Sequence, residues 1–241
     1  MELSQTERDT LRSLAQQVAE IAHLPVQDET RRLWRSLNDL HMERPMVLLD
    51  QFPWHELDPD GELVLSVQDP YWRNVEDALR KLLFRWRHFP ADLVVEPRID
   101  LPKLAWHSGF GLSLDEDIAV TDKANDVVGH GYHRVLSTDG DIARIAFPTV
   151  HYDADGTERI RAQGEALFDG ILPVHMTGFL TYFQLWDFLT MWLSPEGVLY
   201  DLADRPEFIH AIMERLTQAN LALLDQLESL GVLEPAQTAV H

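Results

Sequence analysis

Arg44-Pro-Met-Val-Leu-Leu-Asp-Gln-Phe-Pro-Trp-His-Glu56 reads as a short apolar strand, Met46 to Leu49, that runs into a loop crowded with polar and aromatic side chains. A short apolar run held between a proline and a polar loop suits a buried parallel strand. In α/β folds, chemistry collects in the loops after the carboxyl ends of such strands. Asp50, Gln51, Trp54, His55 and Glu56 stand at that position. Ala91-Asp-Leu-Val-Val-Glu-Pro97 repeats the pattern and ends in Glu96, and Gly170-Ile-Leu-Pro-Val-His-Met-Thr177 gives a third strand carrying His175. Ala236 to His241 looks like the start of a fourth.

Helices fill the spaces between these strands. Leu11, Leu14, Ala15, Val18, Ile21 and Ala22 repeat at three-and-four spacing over Leu3 to Ala22, with Thr6 or Ser4 as cap. A second helix is expected over 28–40, closed off from the first by Pro25. Asp69-Pro70 opens a long helix to about His88, with the aspartate as N-cap and the proline at the first helical position. Helices are further expected over 155–168, over the aromatic stretch 182–193, which holds Trp186, and after Asp204-Arg-Pro206, where Gly231 marks the stop. Residues 105–136 interrupt the alternation with glycines and acidic residues. They predict a small antiparallel insertion made of Phe110–Leu114 and His133–Leu136. The division that follows is a helical segment over 1–45 and a partial barrel over 46–241.

Composition narrows the function. Forty acidic against 20 basic residues leave a formal charge of -20, a field that repels nucleic acid and anionic lipid. With no cysteine there is no disulfide and no thiolate metal site in the chain, which fits a cytoplasmic setting. No apolar run reaches the ~20 residues that span a membrane. No dinucleotide-binding glycine fingerprint follows a strand, and no Gly-x-Ser-x-Gly elbow is present. Gly129-His-Gly-Tyr-His133 spaces two histidines for a metal only on a helix, which its glycines oppose, or with further ligands. The remaining frame is an α/β fold, a partial TIM (β/α)8 barrel with about four β/α units spent in 241 residues.

Arg31–Leu40, Arg44–Asp50, Trp54-His-Glu56, Ala91–Pro97, Gly109-Phe-Gly111 and Asp201–Glu207 together resemble the amino-terminal half of the uroporphyrinogen decarboxylase superfamily. The likeness is to its methyltransferase-like branch associated with corrinoid proteins. It implies methyl transfer from a small methylated substrate to a corrinoid carried by a partner protein. It also implies a zinc ion, bound by His and Cys residues mostly in the back half of the barrel, with His241 as one ligand and the others outside this chain. True decarboxylases carry an Arg-Gln-Ala-Gly-Arg loop after the first strand, and this chain has Asp50-Gln-Phe-Pro-Trp-His-Glu56 there. The decarboxylase's catalytic aspartate follows strand two, where Glu96 and Asp100 lie nearby without matching the motif. A substrate bearing many carboxylates needs cations, so the acidic loop argues against porphyrinogen decarboxylation.

The expected site is therefore Asp50, His55, Glu56 and Glu96 for acid–base chemistry. Gln51, Trp54, His151, His175 and Trp186 would contact the substrate. Packing roles stay open for several of them: a histidine inside an apolar strand such as His175 is often a hydrogen-bonded core residue, and Trp54 and the aromatics around Trp186 can equally be core. Three readings remain: the methyltransferase, the decarboxylase, and an inactive fragment or binding module. A half-barrel leaves open sheet edges, which a homodimer or a carboxyl-terminal half-barrel would cover.

Overall fold

The computed structural model describes residues 3–58, 60–121, 128–180 and 184–234. In chain order its elements are α1 (Gln5–Ala22), α2 (Pro25–Asn38), a 3-10 turn (Trp54–Glu56), α3 (Pro70–His88), β1 (Ile99–Pro102), β2 (Ala105–His107), β3 (Glu116–Ala119), β4 (Gly129–Tyr132), a second 3-10 turn (Asp139–Arg144), β5 (Val150–Tyr152), α4 (Ala154–Phe168), β6 (Val174–Thr177), α5 (Leu185–Leu193), α6 (Pro195–Asp204) and α7 (Pro206–Ser229). The chain is mixed α/β, mostly helix, with three two-stranded sheets among the described residues and no closed barrel. It divides into two units: 3–102 with 155–177, and 103–154 with 178–234.

In unit one, α1 begins where Ser4 and Glu7 cap each other. The Glu7 amide donates to the Ser4 hydroxyl at 3.3 Å, and the Ser4 amide donates to the Glu7 carboxylate at 2.8 Å. Asp69 caps α3 as its sequence predicts, accepting from the Tyr71 and Trp72 amides. Pro25 occupies the first position of α2 and so starts that helix instead of ending the one before. Leu11, Leu14 and Val18 of α1 pack with Val75, Leu79 and Leu83 of α3, Ile99 and Leu101 of β1, and Leu167 and Phe168 of α4. β1 and β6 run parallel in the register Ile99↔Val174, Asp100↔His175, Leu101↔Met176, Pro102↔Thr177. Gly164 lets α4 close onto this pair: a Cβ there would collide with the Leu101 side chain and press on Val174.

The expected first strand is not a ladder strand. Residues 45–50 join no ladder, and the backbone bonds of Val47 run to Asp92 instead. The Val47 amide donates to Asp92 Oδ2 at 2.7 Å, and the Asp92 amide returns a bond to the Val47 carbonyl at 3.2 Å. Arg44 clamps Asp92 from two nitrogens, and this contact holds the Asp92 carboxyl below its usual range. Val47, Leu48 and Leu49 stay 51%, 42% and 41% exposed. The expected second strand over 91–97 is displaced. The Val95 amide donates to Gln27 Oε1 in place of a neighbouring strand, and Pro97 has no amide to give, so pairing starts at Ile99. The four expected β/α units thus reduce, in unit one, to a single parallel pair.

In unit two, β2 pairs with β5 and β3 with β4, both antiparallel. The insertion hairpin therefore lies at 116–119 and 129–132, inside the expected 105–136 range but between the two stretches expected to form it. Phe110, Leu136 and Ile145 pack with Leu189 and Trp192 of α5 and with Phe208, Ile212 and Leu216 of α7. Asp204 ends α6 and does not cap α7, whose N-cap is Arg205. The Arg205 guanidinium and that of Arg134 grip Asp201, which is 4% exposed, at 2.8 and 2.7 Å. Gly231, at φ 64°, stops α7. After it, Leu233 pairs in parallel with Phe179. Gly178 makes that pairing feasible, because a Cβ there would strike the backbone of 232–234. The fourth strand expected at Ala236–His241 lies outside the described residues.

One buried carboxylate fixes the chain between residue 62 and α3. Glu76, with no exposure, accepts from the Ser66 amide and hydroxyl, the Val67 amide and Arg80 Nε. Burial alone would raise its pKa, but these donors outweigh burial and lower it. A lowered folded-state pKa contributes stability that is present above the unfolded value and lost as pH falls through the folded one. Urea titrations should therefore show wild-type stability falling below about pH 4. Glu76→Gln should lose about 3 kcal/mol at neutral pH and show a shallower acid limb; an unchanged acid limb would remove Glu76 from this role.

Candidate functional site

β1 has two faces with different jobs. Ile99 and Leu101, 1% and 0% exposed, point into the core with Val174 and Met176. By strand alternation, Asp100 and Pro102 share the other face with His175 and Thr177. Asp100 and His175 are register partners, so their backbones lie about 4.8 Å apart, as neighbouring strands do. Arg98, two residues before Asp100, sets its Nε 2.8 Å from Asp100 Oδ1. That is a charge contact and not an aligned hydrogen bond, since Arg98 Nε is buried with no hydrogen-bond partner. A cation, a carboxylate and a half-buried imidazole thus stand on the polar face of a parallel pair, the constellation that acid–base chemistry uses.

The residues expected from sequence are spread more widely. In unit one, Trp54 stacks on Phe52 at 4.9 Å, meets Phe84 edge-on at 6.1 Å and lies under Lys81, which makes it a packing residue of the 50–56 turn. His55 Nε2 is 3.3 Å from its neighbour Glu56. Asp50 and Gln51 are exposed, and Asp50 supplies a favourable charge to Arg85, whose guanidinium donates to the Leu49 carbonyl at 2.6 Å. Glu96 faces Arg31, 3.5 Å away, while Arg31 also donates to the Val95 carbonyl. Glu96 and the 50–56 turn each close into local networks of their own. In unit two, exposed His151 stacks on exposed Trp106 at 5.4 Å, and Trp186 on α5 is 50% exposed. The proposed ligand His241 lies outside the described residues.

Of the expected residues, His175 gains a chemically useful setting, and its register partner is Asp100. The clue to Asp100 is local: Arg98-Ile-Asp-Leu101 alternates polar and apolar, the mark of a strand with one buried face. Placing the strand at 91–97 hid it. Zinc does not fit the residues that are described. There is no cysteine, and no group of three His, Asp or Glu side chains is arranged to hold a metal ion among them. No helix among the described residues is long and apolar enough to cross a membrane. Comparison with known protein families, curated proteins and solved structures finds no match to the chain.

The geometry separates structural from available carboxylates. Arg31→Met should free Glu96 and strip the Val95 carbonyl of its donor, costing about 2 kcal/mol in urea unfolding. Glu56→Gln, on an exposed pair, should change stability by less than about 0.5 kcal/mol. Equal losses in the two variants would contradict the assignment of Glu96 to the scaffold.

Proposed function

We propose that the chain is part of a (β/α) barrel of the uroporphyrinogen decarboxylase superfamily, serving methyl transfer from a small methylated substrate to a corrinoid carried by a partner protein. The observation that supports it most is the order of the parallel pairings. β6 pairs with β1 in unit one, and Phe179, two residues beyond β6, pairs with Leu233 in unit two. α4 leads into β6 after the antiparallel strands β2 to β5, and α5 to α7 lie between Phe179 and Leu233. Parallel partners met in chain order with helical crossovers are what a partial barrel requires.

In this reading the polar face of β1 and β6 is the acid–base centre. As the bond from heteroatom to methyl carbon breaks, the heteroatom needs a proton, and His175 is the group placed to give it. Asp100 orients the imidazole, and Arg98 holds Asp100. No step is assigned to zinc, because the residues described do not fit it. Decarboxylation of a porphyrinogen is disfavoured: Arg98 is already engaged by Asp100, and a chain of net charge -20 repels a polyanion.

The test is a panel of methylamines, methanol, methylthiols and methoxyarenes offered with reduced corrinoid, with methylcorrinoid followed by absorbance. One donor class should support transfer. His175→Ala should slow it about 100-fold and Asp100→Asn about tenfold. Turnover of uroporphyrinogen, or transfer unchanged in both variants, would contradict the proposal.

A further inference from the structure

Away from the β1–β6 face, unit one contains a cavity of about 310 Å³ between α1, α3 and α4. Small-molecule pockets begin at roughly 300 Å³. The lining is apolar at Trp72, Ala162, Ala166 and Leu167, and its charged group is a cation, Arg8. The carboxylates near these helix positions are taken elsewhere. Glu7, beside Arg8 in α1, accepts the Ser4 and Gln68 amides, each at 2.8 Å. Glu158 and Glu165 on α4 are both held by Arg161. The Arg8 guanidinium makes no ion pair or hydrogen bond among the described residues. Trp72 supplies a second, independent sign. Trp34, 6% exposed, donates its indole N–H to the Asp92 carbonyl at 2.8 Å, as buried tryptophans usually do. Trp72 is more deeply buried, at 3%, and its N–H has no partner among the described residues. That N–H is not sealed from solvent, so the cavity that Trp72 lines is the opening through which an acceptor reaches it.

An N–H kept from bulk water gains from an acceptor placed in the cavity. Arg8 decides the charge of that acceptor. A guanidinium pairs best with a planar oxyanion, through two parallel N–H bonds, and it repels metal ions and ammonium groups. A polyanion needs several cations, and Arg8 is the single cation of the lining. The alanine methyls, Leu167 and the indole ring favour an apolar body for the remainder of the ligand. We propose that this cavity binds a small monocarboxylate with an apolar body. Its carboxylate lies on the Arg8 guanidinium and the Trp72 N–H, and its body rests on Ala162, Ala166 and Leu167. The site is independent of the methyl-transfer proposal and stands or falls separately from it.

The test is isothermal titration of the full chain with sodium benzoate and sodium hexanoate at about 0.15 M salt, where long-range repulsion from an acidic chain is screened. Benzamide is the neutral control. At least one carboxylate should saturate a single site, and benzamide should bind at least about tenfold more weakly than benzoate. Arg8→Gln should weaken the carboxylate roughly tenfold. Arg35→Gln removes the same charge from an exposed position on α2 and should leave the affinity unchanged. Ala162→Leu, at an exposed helix position that accepts leucine, should fill the cavity and weaken binding while Arg8 stays in place. In ¹H–¹⁵N spectra the indole signal of Trp72, assigned by its loss in Trp72→Phe, should shift with the same midpoint as the heat. Absence of a saturable heat with both carboxylates, benzamide binding as tightly as benzoate, equal effects of Arg8→Gln and Arg35→Gln, or an unmoved Trp72 signal would each overturn the proposal.

Discussion

The close approach of α4 to the parallel pair of β1 and β6 governs unit one. Gly164 removes a side chain at the contact, so Leu101 and Val174 meet the helix backbone directly. Burial of Ile99 and Leu101 on that side forces Asp100 and His175 to the other, because strand side chains alternate. The polarity of the candidate site is thus a consequence of helix packing on the opposite face. Gly178 plays a comparable part in unit two, where only a residue without Cβ allows the chain beside Phe179 to lie against 232–234.

Charge organises the rest. The chain is strongly acidic, yet its buried carboxylates are each answered by several donors. Glu76 holds the Ser66–Val67 backbone, Asp92 holds Arg44 and Val47, and Asp201 sits between two arginines. Burial of Asp201 would by itself raise its pKa, and the two guanidinium groups reverse that shift. Such residues build the fold and are spent. Asp100, on the sheet face, has no such set of donors: its ion-pair partner is Arg98 alone among the described residues.

The helices were legible in the sequence because their signals are local. The caps at Ser4 and Asp69, the stripe of α3 and the stop at Gly231 are each decided within a few residues. The strands were legible only in type. Met46 to Leu49 has the composition of a buried strand, but its backbone partner is the Asp92 side chain, 45 positions away at Val47, and no local pattern announces that. The same blindness moved the second strand from 91–97 to Ile99–Pro102, since the competing partner of Val95 is Gln27 on α2. His175 was singled out by its place at a strand end. Asp100 lay within view, but only the register assigns it as the partner of His175.

Amide hydrogen exchange resolved by residue tests most directly whether parallel pairings in chain order underlie the fold. The amide of Ile99 donates to the Pro173 carbonyl at 2.9 Å, that of Phe179 to Val232 at 2.7 Å, and that of Glu234 to Phe179 at 2.9 Å. All three should exchange far more slowly than the amides of Leu48 and Leu49, which stay exposed. Exchange of Phe179 and Glu234 as fast as that of Leu48 and Leu49 would contradict the account.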